Sequence, residues 1–227
     1  MRPEILFPLF RPVTALKGVG PRIGTLIEQL AGPQVVDLCW HLPSGLIDRR
    51  FRPRIAEAPD GATATITLRV ERHLPPSNAR LPYKVVCRDD SGELTLVFFN
   101  ARSDYLQKVL PEGEVRVVSG KVAHYGGELQ MAHPDFIVKP DELDSLPLVE
   151  PIYPLTAGLT AKPLLRAVQA AVASAPALPE WQDPAWRQRQ GWPGWHDALR
   201  AAHAPGNEAA LAPGDPARQR LAYDELL

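Results

Sequence analysis

The sequence predicts a mixed α and β protein in which a β-barrel of five strands sits between a helical N-terminal segment and a partly helical, Pro- and Trp-rich C-terminal segment. Three observations predict it. Apolar residues recur at helical spacing up to about residue 46, the pattern changes to alternation from Gly61, and beyond Pro134 the chain becomes acidic and proline-punctuated. The expected divisions are 1–58, 59–139 and 140–227.

The first segment, about 12–46, is interrupted at Leu16-Lys17-Gly18-Val19-Gly20-Pro21-Arg22. Ile23, Leu26, Ile27 and Leu30 then follow at helical spacing, and Pro21 suits a first helical turn. A Gly-x-Gly hairpin feeding a helix N-terminus brings backbone N–H groups close to a phosphate, whose charge the helix dipole favours. Gly18, Gly20 and Arg22 are therefore candidate phosphate contacts, in a turn similar to the helix-hairpin-helix of DNA-binding proteins. A plain packing turn accounts for the same glycines, and on that reading Gly20→Val mainly lowers thermal stability.

From Gly61 to Arg72, Ala64, Ile66, Leu68 and Val70 alternate with polar residues, the mark of a half-buried strand. A Pro- and Asn-rich loop, 74–80, leads to a second strand, Tyr83 to Arg88. The turn Asp89-Asp90-Ser91-Gly92 joins it to a third, Glu93 to Asn100. A short helix over Ser103 to Leu110 stops at Pro111-Glu112-Gly113, and two strands follow, Glu114 to His124 and Glu128 to His133, around Tyr125-Gly126-Gly127. Three strands, a helix and a two-stranded hairpin is the order of an OB-fold barrel, a common binder of single-stranded nucleic acid or oligosaccharide. Beyond the barrel a helix is expected over Lys162 to Ala173. Pro184 and Pro193 divide the stretch holding Trp181, Trp186, Trp192 and Trp195, so its aromatics are expected to pack on a neighbouring domain instead of reading bases.

Composition excludes several classes. No apolar run approaches the ~20 residues of a membrane span, and Met1-Arg2-Pro3-Glu4 lacks the features of a signal peptide. A cytoplasmic protein is expected. Cys39 and Cys87, flanked by apolar residues, read as buried thiols. The pattern that cradles nucleotide phosphates is absent, because Gly120-Lys121 is followed by Val122 and position 115 is Val. The six histidines show no metal-ligand spacing, which leaves neither a metal site nor a catalytic residue to assign. The net charge is −1, yet residues 1–54 hold 8 Lys and Arg against 4 Asp and Glu. Such a local excess can hold phosphates, or it can be a solvated turn.

The third strand is the informative one. Leu94, Leu96 and Phe98 share one face and Thr95, Val97 and Phe99 the other. If the Leu94 face fills the barrel, Phe99 points outward at the strand end. There it could stack on an unpaired base or be covered by a neighbouring helix. Tyr105, on the following helix, is a second aromatic candidate.

Several motifs combine in order: Leu16-Lys17-Gly18-Val19-Gly20-Pro21, Asp37-Leu38-Cys39-Trp40-His41-Leu42-Pro43, Asp48-Arg49-Arg50, Phe98-Phe99-Asn100, Gly120-Lys121-Val122, Gln130-Met131-Ala132-His133-Pro134, and Ile152-Tyr153-Pro154-Leu155-Thr156-Ala157-Gly158-Leu159. Together they closely resemble the N-terminal part of the RecG family of bacterial DNA helicases. The closing Arg220 to Leu227 resembles that family's approach to its motor, so the chain is expected to stop before the ATPase domains.

The resemblance implies a wedge domain, an OB barrel that splits strands at replication forks, Holliday junctions and R-loops during DNA repair and recombination while a motor pulls duplex. It implies that Phe99 stacks on the unpaired base at the branch, with Tyr105 as the candidate for a second stacking aromatic. The candidate phosphate contacts around the barrel are Arg49, Arg50, Arg69, Arg80, Lys84 and Arg102. Expected partners are branched DNA and the protein's own C-terminal helicase domains, with no membrane partner and a monomeric state. ATP and magnesium are expected for the full-length helicase and no cofactor for this chain, which is not itself expected to be an enzyme. A free-standing OB protein for single strands or RNA, and a protein–protein interaction module, are the alternative readings.

Overall fold

In a computed structural model that describes residues 3–78 and 80–226, the change of period at Gly61 coincides with a change of architecture. Met1 and Arg2 of the N-terminal leader reading, Ala79 of the 74–80 loop and Leu227 of the closing motif lie outside the described residues.

A 3-10 turn at Val13–Ala15 precedes α1 (Pro21–Leu30), whose first position is Pro21 and whose buried face centres on Gly24 and Ile27. Helix α2 (Val35–Trp40) follows, with Asp37 accepting a hydrogen bond from the Gln34 N–H (2.7 Å) at its N-terminus, and then β1 (Gly45–Asp48). The barrel strands are β2 (Thr63–Leu74), β3 (Tyr83–Arg88) and β4 (Glu93–Phe98). After α3 (Ser103–Val109) come β5 (Val115–Tyr125) and β6 (Glu128–Ala132). A short β7 (Phe136–Val138) adds to β5, and β8 (Val149–Ile152) pairs with β1. The remaining helices are α4 (Ala161–Ser174), α5 (Pro184–Gln190), α6 (Trp195–His203) and α7 (Pro216–Glu225).

The five strands close into an OB-like barrel. β2 pairs antiparallel with β3 and with β5, β3 with β4, and β5 with β6, while β4 and β6 run parallel and seal it. Leu94, Leu96 and Phe98 of β4 point into a core that includes Ile66, Leu68, Val85, Val118 and Met131. Leu106 and Leu110 enter the same core from α3 and its C-terminal end.

Two compact units result, one made of Met1–Ile47 with Val149–Leu227 and the other of Asp48–Leu148. The expected division at 58 and 139 is thus corrected: the N-terminal and C-terminal helices are one unit. Helices α1 and α2 each show an apolar stripe that must be buried, and Ile27, Val35 and Leu38 share a core with Leu164 and Val168 of α4 and Leu199 of α6. The tryptophan segment belongs to this unit as well. Trp195 lies in its core, and the Trp192 indole N–H donates to Gln219 (3.2 Å) with its ring 5.1 Å from that of Tyr223 on α7. Trp192 and Trp195 therefore pack within their own unit, whereas Trp181 and Trp186 are 47% and 38% exposed on it.

The N-terminal hairpin corrects one expectation about its glycines. Gly18 adopts φ +87 and requires glycine, whereas Gly20 is the extended N-cap residue of α1 and a Cβ there meets nothing within 4 Å. Gly18→Val should therefore lower the melting temperature of the helical unit more than Gly20→Val. The latter loses only a cap preference, about 1 kcal/mol or less. Paired thermal melts decide the order.

Both cysteines are free and buried, and burial pushes both thiols up to about 12. His203 is buried in the helical unit. Its Nε2–H donates to the Cys39 carbonyl (2.9 Å) and its Nδ1 accepts from the Tyr153 hydroxyl (3.0 Å). Burial, more than any neighbouring charge, lowers its pKa below the ordinary 6.5. The unfolded chain then takes up a proton near pH 6.5 that the folded chain resists. Stability is full above that pH and falls as pH drops through it. Melting followed from pH 7.5 to about pH 5 should show this decline in the helical unit, and His203→Gln should flatten it.

Among the described residues no helix is long and apolar enough to cross a membrane, and no group of three or more His, Cys, Asp or Glu is placed to hold a metal.

Candidate nucleic-acid interface

The end of β4 gathers the aromatic candidates. Phe98, the last residue of the strand, is 6% exposed inside the barrel, and Phe99, one residue on, is 52% exposed. The chain then turns through Asn100, whose φ of +55 ends the extended run, and enters α3. Tyr105 stands on the outer side of that helix at 60% exposure, opposite the buried Leu106.

Helix α3 is fixed at its C-terminal end. The Arg116 guanidinium donates through Nε to the Val109 carbonyl (2.9 Å), and His73 donates through Nε2 to the Leu110 carbonyl (2.7 Å). His73 Nδ1 in turn accepts from the Tyr83 hydroxyl (3.0 Å) on β3. Tyr105 is therefore carried on a helix tied to β5, β2 and β3.

Phe99, Arg102 and Tyr105 line one hollow of about 380 Å³ on the barrel unit, with Phe98 and Leu106 at its apolar base and His133 and Pro134 along its wall. The volume falls within the range of small-ligand sites. Its chemistry is two exposed π faces beside one exposed guanidinium, which suits a flat aromatic group linked to an anion. The Phe99 backbone N–H donates to His133 Nε2 (3.1 Å), and the two rings lie 5.7 Å apart with 31° between their planes.

The other candidates are dispersed. Arg102 alone joins the aromatics. Lys84 lines a separate groove with Arg72, and Arg69, which donates to the Gly113 carbonyl (2.7 Å), lines a third with Arg88. Arg80 is exposed in the loop between β2 and β3. Arg50 is half-exposed but ion-paired with Asp48, whose carboxyl it holds down to about 2, chiefly through their side-chain hydrogen bond. Arg49 is corrected outright. It is 2% exposed, forms an ion pair with Asp135 (3.4 Å) and lies 4.8 Å above the Phe136 ring, so its guanidinium braces the barrel and is not offered to a phosphate. Gly18, Gly20 and Arg22 are exposed on the helical unit.

Comparison with known proteins gives consistent matches. The family model described as the RecG wedge domain matches residues 12–175. The ATP-dependent DNA helicase RecG of Acidithiobacillus ferridurans is 29% identical over 224 residues, which cover 95% of this chain and 31% of that protein. That of Escherichia coli (strain K12) is 31% identical over 231 residues, 95% of this chain and 32% of that protein. A solved structure of RecG bound to a three-way DNA junction superimposes with a TM-score of 0.74 at 25% identity, over 96% of this chain and 30% of that one. The chain thus spans about a third of the length of these relatives.

Proposed function

Because the chain belongs to the RecG wedge domain family, we propose that it binds branched DNA and holds the branch open, as the wedge of a fork-remodelling helicase. The observation that carries this is Phe99, an exposed ring at the end of a barrel strand whose preceding residue is buried, sharing one hollow with Tyr105 and Arg102. Opening a base pair at a branch exposes two π faces, and a ring held rigidly against one of them lowers the cost of the open state. Arg102, which lines the same hollow, would neutralise the adjoining phosphate. Lys84, Arg69 and Arg80, dispersed over the barrel surface, supply attraction without sequence readout.

Forks, Holliday junctions and R-loops are the substrates this reading assigns, in DNA repair and recombination in the cytoplasm. The full-length helicase would supply the motor, with its ATP and magnesium. This chain, acting as a monomer, would supply branch recognition to those helicase domains and would itself hydrolyse no ATP.

The test is titration of the purified chain with forked, duplex and single-stranded DNA of one sequence at several salt concentrations. The expected result is weak binding that favours forks, ignores sequence and falls steeply with salt as counterions are released. A preference for plain single strands would favour a free-standing OB protein. No DNA binding would favour a protein–protein module, and ATP turnover stimulated by fork DNA would contradict the assignment of chemistry to the motor alone.

A further inference from the structure

We propose that His133 is a positioning residue for Phe99: its imidazole Nε2, by accepting the Phe99 backbone N–H, fixes the pose in which that ring meets a base. The inference rests on the stacking role proposed above and adds the device that makes it work.

The parallel pairing of β4 with β6 runs Thr95 to Gln130, Leu96 to Met131 and Val97 to Ala132. One further backbone bond, from the His133 N–H to the Val97 carbonyl (2.9 Å), extends it. There the ladder stops: after Pro134 the next amide due to face β4, that of Asp135, donates instead to the Ser119 carbonyl of β5 (2.8 Å). Phe99 is thus left at a strand end with no backbone carbonyl of β6 opposite its N–H. The His133 side chain takes the place of that carbonyl, at 3.1 Å. An accepting Nε2 places the ring proton on Nδ1.

Backbone geometry points the same way. Among the described residues the non-glycine positions with positive φ are Asn100 (+55) and His133 (+46), one following Phe99 in the chain and the other hydrogen-bonded to it. L-residues avoid this region, and a following proline restricts His133 further. Such conformations persist where the surroundings over-determine them, and they cluster where a structure presents a group for binding. The imidazole also touches both neighbours in the sequence. It meets the buried Phe98 edge-on, with centroids 6.1 Å apart at 82°, and lies alongside the exposed Phe99 at 5.7 Å. One side chain therefore refers the outward ring to the barrel core.

Two substitutions separate positioning from a purely structural role, because they move stability and binding in opposite directions. H133N suits the left-handed backbone, but its short amide cannot reach the Phe99 N–H. H133Q carries an amide oxygen to about where Nε2 lies, but fits that backbone less well. The chain and the variants H133N, H133Q, F99A and F99A/H133N are melted, then titrated with duplex and with a fork carrying 2-aminopurine at the unpaired branch position. H133N should melt above H133Q yet lose about fivefold in fork affinity, the value of one hydrogen bond. It should also quench 2-aminopurine less, with duplex affinity unchanged. H133Q should retain fork affinity and quenching, and F99A/H133N should bind no worse than F99A.

The proposal is overturned if H133N keeps the parent's fork affinity and quenching, if H133Q loses as much as H133N, or if the losses in the double variant add. An F99A variant that binds forks like the parent would instead bring down the stacking reading itself, and the positioning role with it.

Discussion

Phe98→Ala should destabilise the barrel by about 3–5 kcal/mol, the cost of emptying a large aromatic site in a packed core. Phe98 is 6% exposed in the core that Leu96, Leu106 of α3 and Leu110 just beyond it also fill, and its backbone partner across the sheet is the buried Tyr83. For a unit of this size the loss corresponds to a melting shift of more than about 10 °C. Hydrogen exchange should localise the effect, with faster exchange at the β3 and β4 amides and little change in α4 and α6, which belong to the other unit. A Phe98→Ala variant that melts with the parent would mean that the barrel does not depend on this ring.

Phe99→Ala should do the opposite. Its ring is 52% exposed, so its removal leaves the barrel core filled and the melting temperature nearly unchanged. Fork binding should weaken by about 1–3 kcal/mol where unpaired bases stand at the branch, roughly five- to 150-fold, and much less on plain duplex, which offers no free base face. In a full-length relative carrying the equivalent change, fork unwinding should fall further than DNA-stimulated ATP hydrolysis, because the ring acts on the DNA and not on the nucleotide. Melting curves and fork-versus-duplex affinities measured on both variants decide the register. If Phe99→Ala unfolds the barrel while Phe98→Ala spares it and abolishes fork preference, the binding ring is Phe98.

That contrast between neighbours was legible in the sequence, because a strand's period of two is a local property. Leu94, Leu96 and Phe98 are inward, as alternation requires, while on the other face Thr95 and Val97 are buried as well and Phe99, just past the strand end, is exposed. The same signal located β2 to β6 to within about two residues. Elements that local patterning does not carry were missed. Strands β1 and β8 have four residues each and β7 has three, and Pro151 interrupts the pattern within β8. The joining of residues 1–47 with 149–227 depends on apolar stripes meeting across a long separation in sequence, which no window reveals.

Helices α5 and α7 could have been found. Asp183-Pro184 and Asp215-Pro216 place an N-cap acceptor before a first-turn proline, and both aspartates accept first-turn N–H groups. Arg49 was misread because an arginine run announces charge, while its partner Asp135 lies 86 residues away. His133 belongs to one of the motifs that carry the resemblance, but nothing in the sequence signals its bond to Phe99. A histidine before a proline has no periodicity to violate, and both its left-handed backbone and its bond to Phe99 arise only when β4 and β6 are side by side.

The pairing of β1 with β8 has a consequence for the order of assembly. The barrel unit, Asp48–Leu148, is an insertion whose exit and return are adjacent, with the Arg49 N–H donating to the Leu148 carbonyl at 2.7 Å. If the helices were to assemble first, they would have to close a disordered loop of about a hundred residues before gaining any contact between their two halves. A folded barrel has already brought those halves together. To the helices it then acts as a short, stiff tether, and their later assembly proceeds as though Ile47 were followed almost directly by Val149. The dependence runs one way, because the barrel strands are contiguous in the chain and need no closure supplied by the helices.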